Sequence, residues 1–366
     1  MVQALPDADP SEGHVVLDVA DGAPYGFLRG AAGIMAADLA RLPATGITPV
    51  IGGDAHVGNF GFYASPEQQL VLDINDFDEA HPGSWEWDLR RLSASVWVSG
   101  RENGADEDAC EEAVAACCAA YRDELWELFE QPLLDRSFRR LDRKQFHDLA
   151  QTKSLRQQIK KASTRARSRT SDRALPRFTA DRGADRRIVE EPPLITRLDD
   201  EQQERLAEGL DRYLLTLAPH WRRVVGGYTL IDVAHKVVGV GSVGLRAYVA
   251  LLEGSSPDDV IFLQLKQARR SVVAPFVHGE SPRHDHQGER VVEYQPALQT
   301  VRGPVRAKGH ARTSGASMIV GYIGRSDKVD AALCRFARDY ADQTERDHGA
   351  LVKAAAAGRI DAEYGI

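Results

Sequence analysis

Three polar residues in the first quarter of the sequence have the types and spacing that phosphate chemistry requires. Asp54 stands five residues before Asn59, and Asp76 follows a short apolar run. Phosphoryl transfer needs metal ions on the phosphates and an acceptor for the proton of the attacking group. Mg²⁺ prefers hard oxygen ligands such as carboxylates and amides. The pattern therefore predicts Asp54 as the catalytic base and Asn59 and Asp76 as magnesium ligands.

Carboxylates are crowded around Asp76. Asp73, Asp76, Asp78 and Glu79 lie within seven residues at the end of an apolar strand. Asp and Asn beside Gly are also common turn residues. However, so many like charges repel one another unless cations bind near them. The crowding predicts a metal site, in which either Asp73 or Asp76 is the ligand.

A glycine-rich loop lies much further along the chain. Gly239, Gly241 and Gly244 form a G-x-G-x-x-G pattern that also contains Ser242. A dinucleotide-binding fold has a helix after these glycines, but here the apolar run RAYVALL predicts a strand. Strand, glycine loop and strand are typical of protein kinases, where the loop covers the phosphates of ATP. Its backbone amides approach closely because glycine has no side chain.

A lysine ends the next apolar run. Lys266 closes the predicted strand Val260–Lys266, and in kinases the lysine at this place contacts the α- and β-phosphates. Glu289 and Glu293 follow on a predicted helix, and either could pair with Lys266 and hold it in place. Spacing favours Glu289. The predicted catalytic set is therefore Asp54, Lys266 and Glu289.

The two groups together contain nearly every part of a kinase site, but in reversed order along the chain. The base and the metal ligands come first, and the glycine loop and Lys266 come last. A circular permutation can keep a fold because chain ends often lie close together at the surface. We therefore expect an α+β, protein-kinase-like two-lobed fold with circularly permuted active-site motifs.

The elements that must position these residues follow from the spacing of apolar residues. Helices are predicted at 30–42, 87–100, 104–130, 203–219 and 328–356, and a small antiparallel sheet at 228–252 and 259–268. The main boundary is predicted near residue 222, between a mostly helical lobe with the catalytic and metal-binding loops (25–221) and a β-rich nucleotide-binding lobe (222–312). An N-terminal loop (1–24) precedes them, and a C-terminal helix that packs on the helical lobe (313–366) follows.

One segment is strongly basic. Residues 153–187 are rich in Lys and Arg and contain few apolar residues, which is typical of a solvated or mobile loop. The alternative is a basic platform, with residues such as Arg165 and Arg167, that attracts an anionic acceptor.

Composition narrows the possible partners and compartments. The 366 residues carry a net charge of −8, which does not favour nucleic-acid binding. The four cysteines lack zinc-ligand spacing. The N-terminus lacks the basic and apolar regions of a signal peptide, and no apolar run reaches the ~18 residues of a membrane span. We expect a cytoplasmic protein without nucleic-acid or membrane partners.

Long stretches of the chain resemble a bacterial family catalogued as domain of unknown function 2252. These stretches include GGDAHVGNFGFY, LDINDFDEAHPGSWEWDLRRLSASV, HKVVGVGSVGLRAYVALL and FARDYADQTERDHGALVKAAAAGRI. The likeness covers most of the chain. The family name carries no established function.

The first group of residues also resembles the aminoglycoside phosphotransferase and choline kinase group. Its patterns H-G-D-x₄-N, I-D-F/W-x-D-A and Y-D-L are similar to Gly53-Asp54 with Asn59, to the stretch 76–80 and to Trp87-Asp88-Leu89. The resemblance implies ATP and Mg²⁺ as cofactors, Asp54 as base, and Asn59 and Asp76 as magnesium ligands. Gly52 stands where that group has His.

Another departure lies after the predicted Glu-bearing helix. Gln299-Thr300 run directly into VRGPVRAKGHARTSG, where relatives continue with strands that correspond to the kinase hinge.

We expect a Mg·ATP-dependent phosphotransferase acting on an unknown hydroxyl-bearing acceptor, either a small molecule or a protein. The alternatives are an inactive pseudokinase or nucleotide-binding module, a nucleotidyltransferase, and a metal-dependent phosphoesterase suggested by Asp54-Ala55-His56.

Overall fold

The structure is a computed structural model. It describes residues 23–64, 70–132, 134–135, 156–157, 160–161, 164, 179–180, 186–236, 246–277, 284, 286–299, 305–313 and 315–359. The predicted glycine loop with Gly239, Gly241, Ser242 and Gly244 lies outside the described residues. So do Arg165 and Arg167, most of the basic segment and nearly all of the predicted N-terminal loop.

The described residues form a mixture of helices and small antiparallel sheets, as the α+β prediction requires. The longer helices are α1 (Pro24–Gly30), α2 (Ala32–Leu39), α3 (Trp85–Glu102), α4 (Glu107–Glu130), α5 (Asp200–Thr216), α6 (Pro219–Val225), α7 (Gln287–Leu298), α8 (Val305–Arg312), α9 (Ala316–Ile323) and α10 (Lys328–Ala356). The strands are β1 (Val50–Ile51), β2 (Phe60–Ala64), β3 (Leu70–Ile74), β4 (His81–Pro82), β5 (Thr179–Ala180), β6 (Arg187–Ile188), β7 (Ile195–Arg197), β8 (Thr229–Lys236), β9 (Ala247–Glu253) and β10 (Val260–Lys266).

A helical core is built from α3, α4 and α10, which pack against one another. The indole rings of Trp85 and Trp97 on α3 are almost fully buried in it, together with Leu125 of α4 and Ala337 of α10. Burying side chains of this size removes a large apolar area from water, which stabilises the packing. This core fixes α3, and α3 carries residues that hold the candidate site.

A four-stranded antiparallel sheet of order β10-β9-β8-β7 forms the second part. Helix α5 packs on it through Leu206 and Leu210, which contact a cluster with Val233 and Tyr248. The helix starts at a capping box formed by Asp199 and Gln202. Strand β7 and helix α5 precede the boundary predicted near residue 222, yet they pack with the sheet that follows it.

Two smaller pairs of strands flank the loops that carry most of the acidic residues. Strands β2 and β3 form an antiparallel hairpin with Phe60 opposite Ile74, and β1 pairs with β4. Helix α7 lies against this region, since its Tyr294 and Leu298 pack with Ile74, Phe77 and Ala80. None of the helices in the described part of the chain combines the length and the hydropathy that a membrane-spanning segment requires.

Candidate functional site

The loop that carries Asp54 is held by a buried carboxylate. It follows β1, and the backbone amides of Gly52 and Gly53 donate to the two oxygens of Asp88 at 2.8 and 3.0 Å. Asp88 lies in the first turn of α3 and is buried. Gly53 has φ +74°, and a Cβ there would lie 2.4 Å from the carbonyl oxygen of Glu79. Only glycine suits this position.

Asp54 forms an ion pair with a buried arginine of the same helix. The Nη2 and Nε atoms of Arg91 lie 2.5 and 2.7 Å from Asp54 Oδ1. Nη2 also donates to the carbonyl oxygen of Leu28 at 2.9 Å. Burial alone would raise the pKa of Asp54, but Arg91 and then His56 outweigh it and lower this pKa to about 2. Asp54 is therefore a fixed, ionised carboxylate at neutral pH.

Two further side chains support Asp54. The amide Nδ2 of Asn59 donates to the carbonyl oxygen of Asp54 at 2.7 Å. The Nδ1 atom of His56 accepts from the backbone amide of Gly58 at 3.1 Å, so the proton of a neutral imidazole is on Nε2. That Nε2 lies 3.6 Å from Asp54 Oδ2. Because the nitrogen of Asn59 is engaged, its oxygen is the atom that could bind a cation.

The hairpin places Asn59 next to the acidic loop. The backbone amide of Asn75 donates to the carbonyl oxygen of Asn59 at 3.0 Å, and Asp76 follows directly. Asp73 is fully buried, and its Oδ1 accepts from the amide of Ile74 at 2.8 Å. Between the two alternatives left open by the sequence, Asp76 is the one whose carboxylate faces the lysine described next.

Lys266, at the end of β10, meets the acidic loop. Its Nζ lies 3.9 Å from Asp76 Oδ2 and 3.8 Å from Asp78 Oδ2. Burial and the Asp76 carboxylate raise the pKa of Asp78, although Lys266 opposes them. Two carboxylates thus share one lysine at this point, and their repulsion adds to the effect of burial on Asp78. The structure thus brings together residues of the two predicted groups that are almost 200 positions apart.

Glu289 and Glu293 lie on helix α7, as predicted, and both are exposed. Among the described residues, the carboxylates within salt-bridge distance of Lys266 are those of Asp76 and Asp78. Glu293 instead lies 2.8 Å from Nε2 of His284. The prediction that Glu289 orients Lys266 stays a prediction.

A second buried network stands behind Asp88. His310 of α8 places Nε2 3.4 Å from Asp88 Oδ2, and its Nδ1 lies 2.8 Å from the hydroxyl of Tyr121 on α4. All three side chains are buried. Burial, and then Asp88 and Glu86, raise the pKa of Tyr121 well above its ordinary value, so this hydroxyl is neutral. The network anchors the Asp54 loop to the helical core.

Sequence reasoning missed three of these supporting residues. Arg91 lies three positions after Asp88 on a helix, a spacing that places both on one face, and this signal could have identified it. His310 and Arg290, which is described below, are far from their partners in sequence. No local pattern predicts such contacts.

The oxygen atoms at this site suit a cation whose coordination shell is completed by atoms of a bound ligand. Within the described ranges, no group of three or more His, Cys, Asp or Glu side chains could hold a metal ion alone. Asp76, Asn59 and the neighbouring Asp78 supply a few hard oxygen atoms. Mg²⁺ is commonly held by one or two carboxylates together with phosphate oxygens and water.

One comparison with known proteins gives a match. A family model described as "Uncharacterized protein conserved in bacteria (DUF2252)" matches residues 20–306 and 300–354. The two stretches overlap at residues 300–306, between the end of α7 and the first turn of α8. No curated protein and no solved structure matches the chain.

Proposed function

We propose that this chain, which belongs to the DUF2252 family of uncharacterized bacterial proteins, binds Mg·ATP and transfers a phosphoryl group to a hydroxyl-bearing acceptor. The contact of Lys266 with Asp76 and Asp78, at 3.9 and 3.8 Å, carries the proposal. A lysine beside crowded carboxylates is the arrangement that a metal-bound polyphosphate needs. The acceptor is a small molecule or a protein.

The nucleotide side of the site consists of Lys266, Asp76 and Asn59. The ammonium group of Lys266 would bind phosphate oxygens, and the oxygens of Asp76 and Asn59 would hold the metal ion. Bound Mg²⁺ neutralises the charge that develops on the phosphates. The crowding of Asp76 and Asp78 supports this assignment, because their mutual repulsion falls when a cation lies between them.

Asp54 faces the acceptor in this proposal. Its pKa of about 2 keeps it ionised at neutral pH, so it can accept a hydrogen bond from the attacking hydroxyl. A carboxylate of such low pKa is a weak base, and it would orient the hydroxyl and take its proton late. This suits a loose transition state, in which catalysis depends mainly on positioning.

The order of the elements supports a kinase-like two-lobed fold with permuted motifs. Strand β8 ends at Lys236 and its antiparallel neighbour β9 begins at Ala247. The glycines at 239–244 therefore belong to the connection between two adjacent strands. Strand, glycine loop and strand is the kinase order, whereas a dinucleotide-binding fold continues into a helix.

Thermal unfolding with and without Mg·ATP tests the proposal. A ligand at 100 times its dissociation constant stabilises a protein by about 2.7 kcal/mol, so wild type should unfold at a higher temperature with the complete ligand than with ATP or Mg²⁺ alone. Lys266→Ala and Asp76→Asn should lose this shift. Lys353→Ala, which changes an exposed lysine of α10, is the control and should keep it. An absent shift in wild type at millimolar Mg·ATP contradicts the proposal.

One observation favours a second candidate, a nucleotide-binding protein without turnover. Helix α7 ends at Leu298 and α8 begins at Val305, so six residues join them. This connection is too short for the hinge strands and the helix that relatives are expected to carry there. In this case Mg·ATP still raises the unfolding temperature, but no ATP is consumed with any acceptor. Product mass separates phosphoryl transfer from nucleotidyl transfer.

A further inference from the structure

Arg290 of helix α7 is a buried cation that binds three backbone carbonyl groups. Its Nη1 donates to Ala80 at 2.5 Å, and its Nη2 donates to Asp78 at 2.7 Å and to Arg269 at 2.9 Å. Its Nε donates to the side chain of Gln287 at 2.8 Å. The side chain is only 3% exposed. A buried guanidinium needs such partners, because burying an unpaired charge is very costly.

The three carbonyl groups belong to the two halves of the site. Asp78 and Ala80 lie in the acidic loop, and Arg269 lies three residues after Lys266. The same nitrogen, Nη2, therefore bridges the loop of the carboxylates and the segment that continues the lysine strand. The planar fork of arginine fixes directions that a lysine would leave variable.

Neighbouring bonds strengthen this junction. The hydroxyl of Ser271 donates to the carbonyl oxygen of Glu79 at 2.9 Å, and the amide of Val272 donates to Glu79 Oε2 at 2.6 Å. Both join the same two segments as Arg290. Residues 78–80 and 269–272 are thus held together by a set of short bonds, and Arg290 contributes charged donors to them.

Helix α7 presents Arg290 and not Glu289 to the interior. Arg290, Tyr294 and Leu298 are spaced by four residues and are buried on one face, whereas Glu289 is exposed. Adjacent residues on a helix point about 100° apart, and of this pair it is Arg290 that is buried against the acidic loop.

We propose that Arg290 is a positioning residue that sets the distance between Lys266 and the carboxylates of Asp76 and Asp78. The effect on enzyme kinetics that we expect from this role rests on the proposed function. Arg290 would not touch the nucleotide. It would instead hold the two segments from which the nucleotide-binding groups project.

The variants Arg290→Gln and Arg290→Lys test this role. The glutamine variant removes the charge, and the lysine variant keeps the charge but loses the fork. We expect the KM for Mg·ATP to rise about 10- to 100-fold in both, with a smaller fall in kcat at saturating ATP. Arg325→Gln, which changes an exposed arginine paired with Glu130, should keep the wild-type KM. A folded Arg290 variant with a KM within about twofold of wild type overturns the inference. A KM that rises in Glu289→Gln but not in the Arg290 variants also overturns it.

Amide hydrogen exchange without nucleotide separates this inference from the proposed function. In Arg290→Gln, residues 75–80 and 267–270 should exchange faster together, while α4 keeps its protection. If wild type binds no Mg·ATP, the proposed function fails, and the exchange result still decides the coupling. If Arg290→Gln does not fold, Arg290→Lys provides both readouts. Unchanged exchange in both segments of a folded variant overturns the inference.

Discussion

The two sides of the candidate site are built in contrasting ways. On the Asp54 side, the ion pair with Arg91 and the hydrogen bonds from the loop amides to Asp88 are 2.5–3.0 Å long, and both Asp88 and Arg91 are buried. On the lysine side, Lys266 lies 3.8–3.9 Å from the carboxylates, and the three side chains are 29–39% exposed. The first side is complete within the protein. The second has long contacts, solvent access and surplus negative charge.

This contrast separates the part of the site that the protein forms alone from the part that is open to a ligand. Preorganised charges require no rearrangement when a reaction begins, and Asp54 with its two partners fits that description. The acidic loop and Lys266 have their backbones fixed, by Arg290 and Glu79, but their charged ends are loosely paired. This side is suited to a ligand that brings its own charge. Substitutions on the Asp54 side should therefore reduce stability strongly, whereas a substitution on the lysine side should change it little.

The largest effect is expected from Arg91→Gln. This change leaves Asp54 without its buried cation, and breaking such a pair costs about 3–5 kcal/mol. Urea unfolding measures the loss of free energy. Arg212→Gln, an exposed arginine that pairs with Glu208, should change the free energy of unfolding by less than about 0.5 kcal/mol. Adding Asp54→Asn to Arg91→Gln should recover part of the loss, and an additive double variant would contradict the pairing.

Asp88→Asn comes next. The amide keeps the shape of the carboxylate but has one acceptor oxygen for the two backbone amides of Gly52 and Gly53. Hydrogen bonds to charged groups contribute about 1.5–3 kcal/mol, so we expect the free energy of unfolding to fall by about 2–3 kcal/mol. Asp108→Asn, at an exposed position on α4, is the control. Equal stability of the two variants would show that Asp88 does not hold the loop.

Acid should weaken the Asp54 side by a smaller amount. The pKa of Asp54 falls from 3.8 to about 2 on folding. A lowered carboxyl pKa stabilises the folded state above the unfolded pKa, and this contribution disappears as pH falls through the folded pKa. About 2 kcal/mol should be lost between about pH 4 and pH 2. Urea unfolding across this range should show the difference between wild type and Asp54→Asn shrinking, and parallel pH curves would contradict the prediction.

The smallest effect, with the opposite sign, is expected from Asp78→Asn. Burial and Asp76 raise the pKa of Asp78, so its ionised form destabilises the folded protein at neutral pH. Removing the charge should raise the free energy of unfolding by less than about 1 kcal/mol, as measured in urea without ligand. The same variant should show a weaker response to Mg²⁺. A clear loss of stability would mean that the lysine side, too, is complete without a ligand.

Several elements of the fold could be predicted because their causes are local. Strand β10 ends at Lys266 as predicted, since an apolar run ends there. Helix α10 occupies Lys328–Ala356 as predicted from its apolar stripe. The helix predicted at 30–42 corresponds to the shorter α2 (Ala32–Leu39), and the preceding helix α1 (Pro24–Gly30) was not predicted. Ala31 separates the two, because its ψ of 28° is not helical. The helix predicted at 203–219 ends at Thr216, and Pro219 starts a new one.

The site was predictable only in part, for a physical reason. The types of Asp54, Asn59, Asp76 and Lys266 indicated a chemistry, and the structure brings Asp76 and Lys266 together. The side chains that hold them could not be inferred in the same way. Arg290 reaches carbonyl groups more than 200 positions away in sequence. Every residue has the same backbone carbonyl group, so no sequence motif indicates which carbonyl groups a buried arginine will bind.

The place of α10 in the helical core has a consequence for the order of events during synthesis. Helix α10 packs against α3 and α4, but it follows the end of α4 by almost 200 residues, from 130 to 328. Ribosomes add about 5–20 residues per second, so α10 is made roughly 10–40 s after α4. Throughout that interval the apolar faces of α3 and α4 lack their final cover. During this interval the newly made chain exposes apolar surface that promotes aggregation and that chaperones can bind.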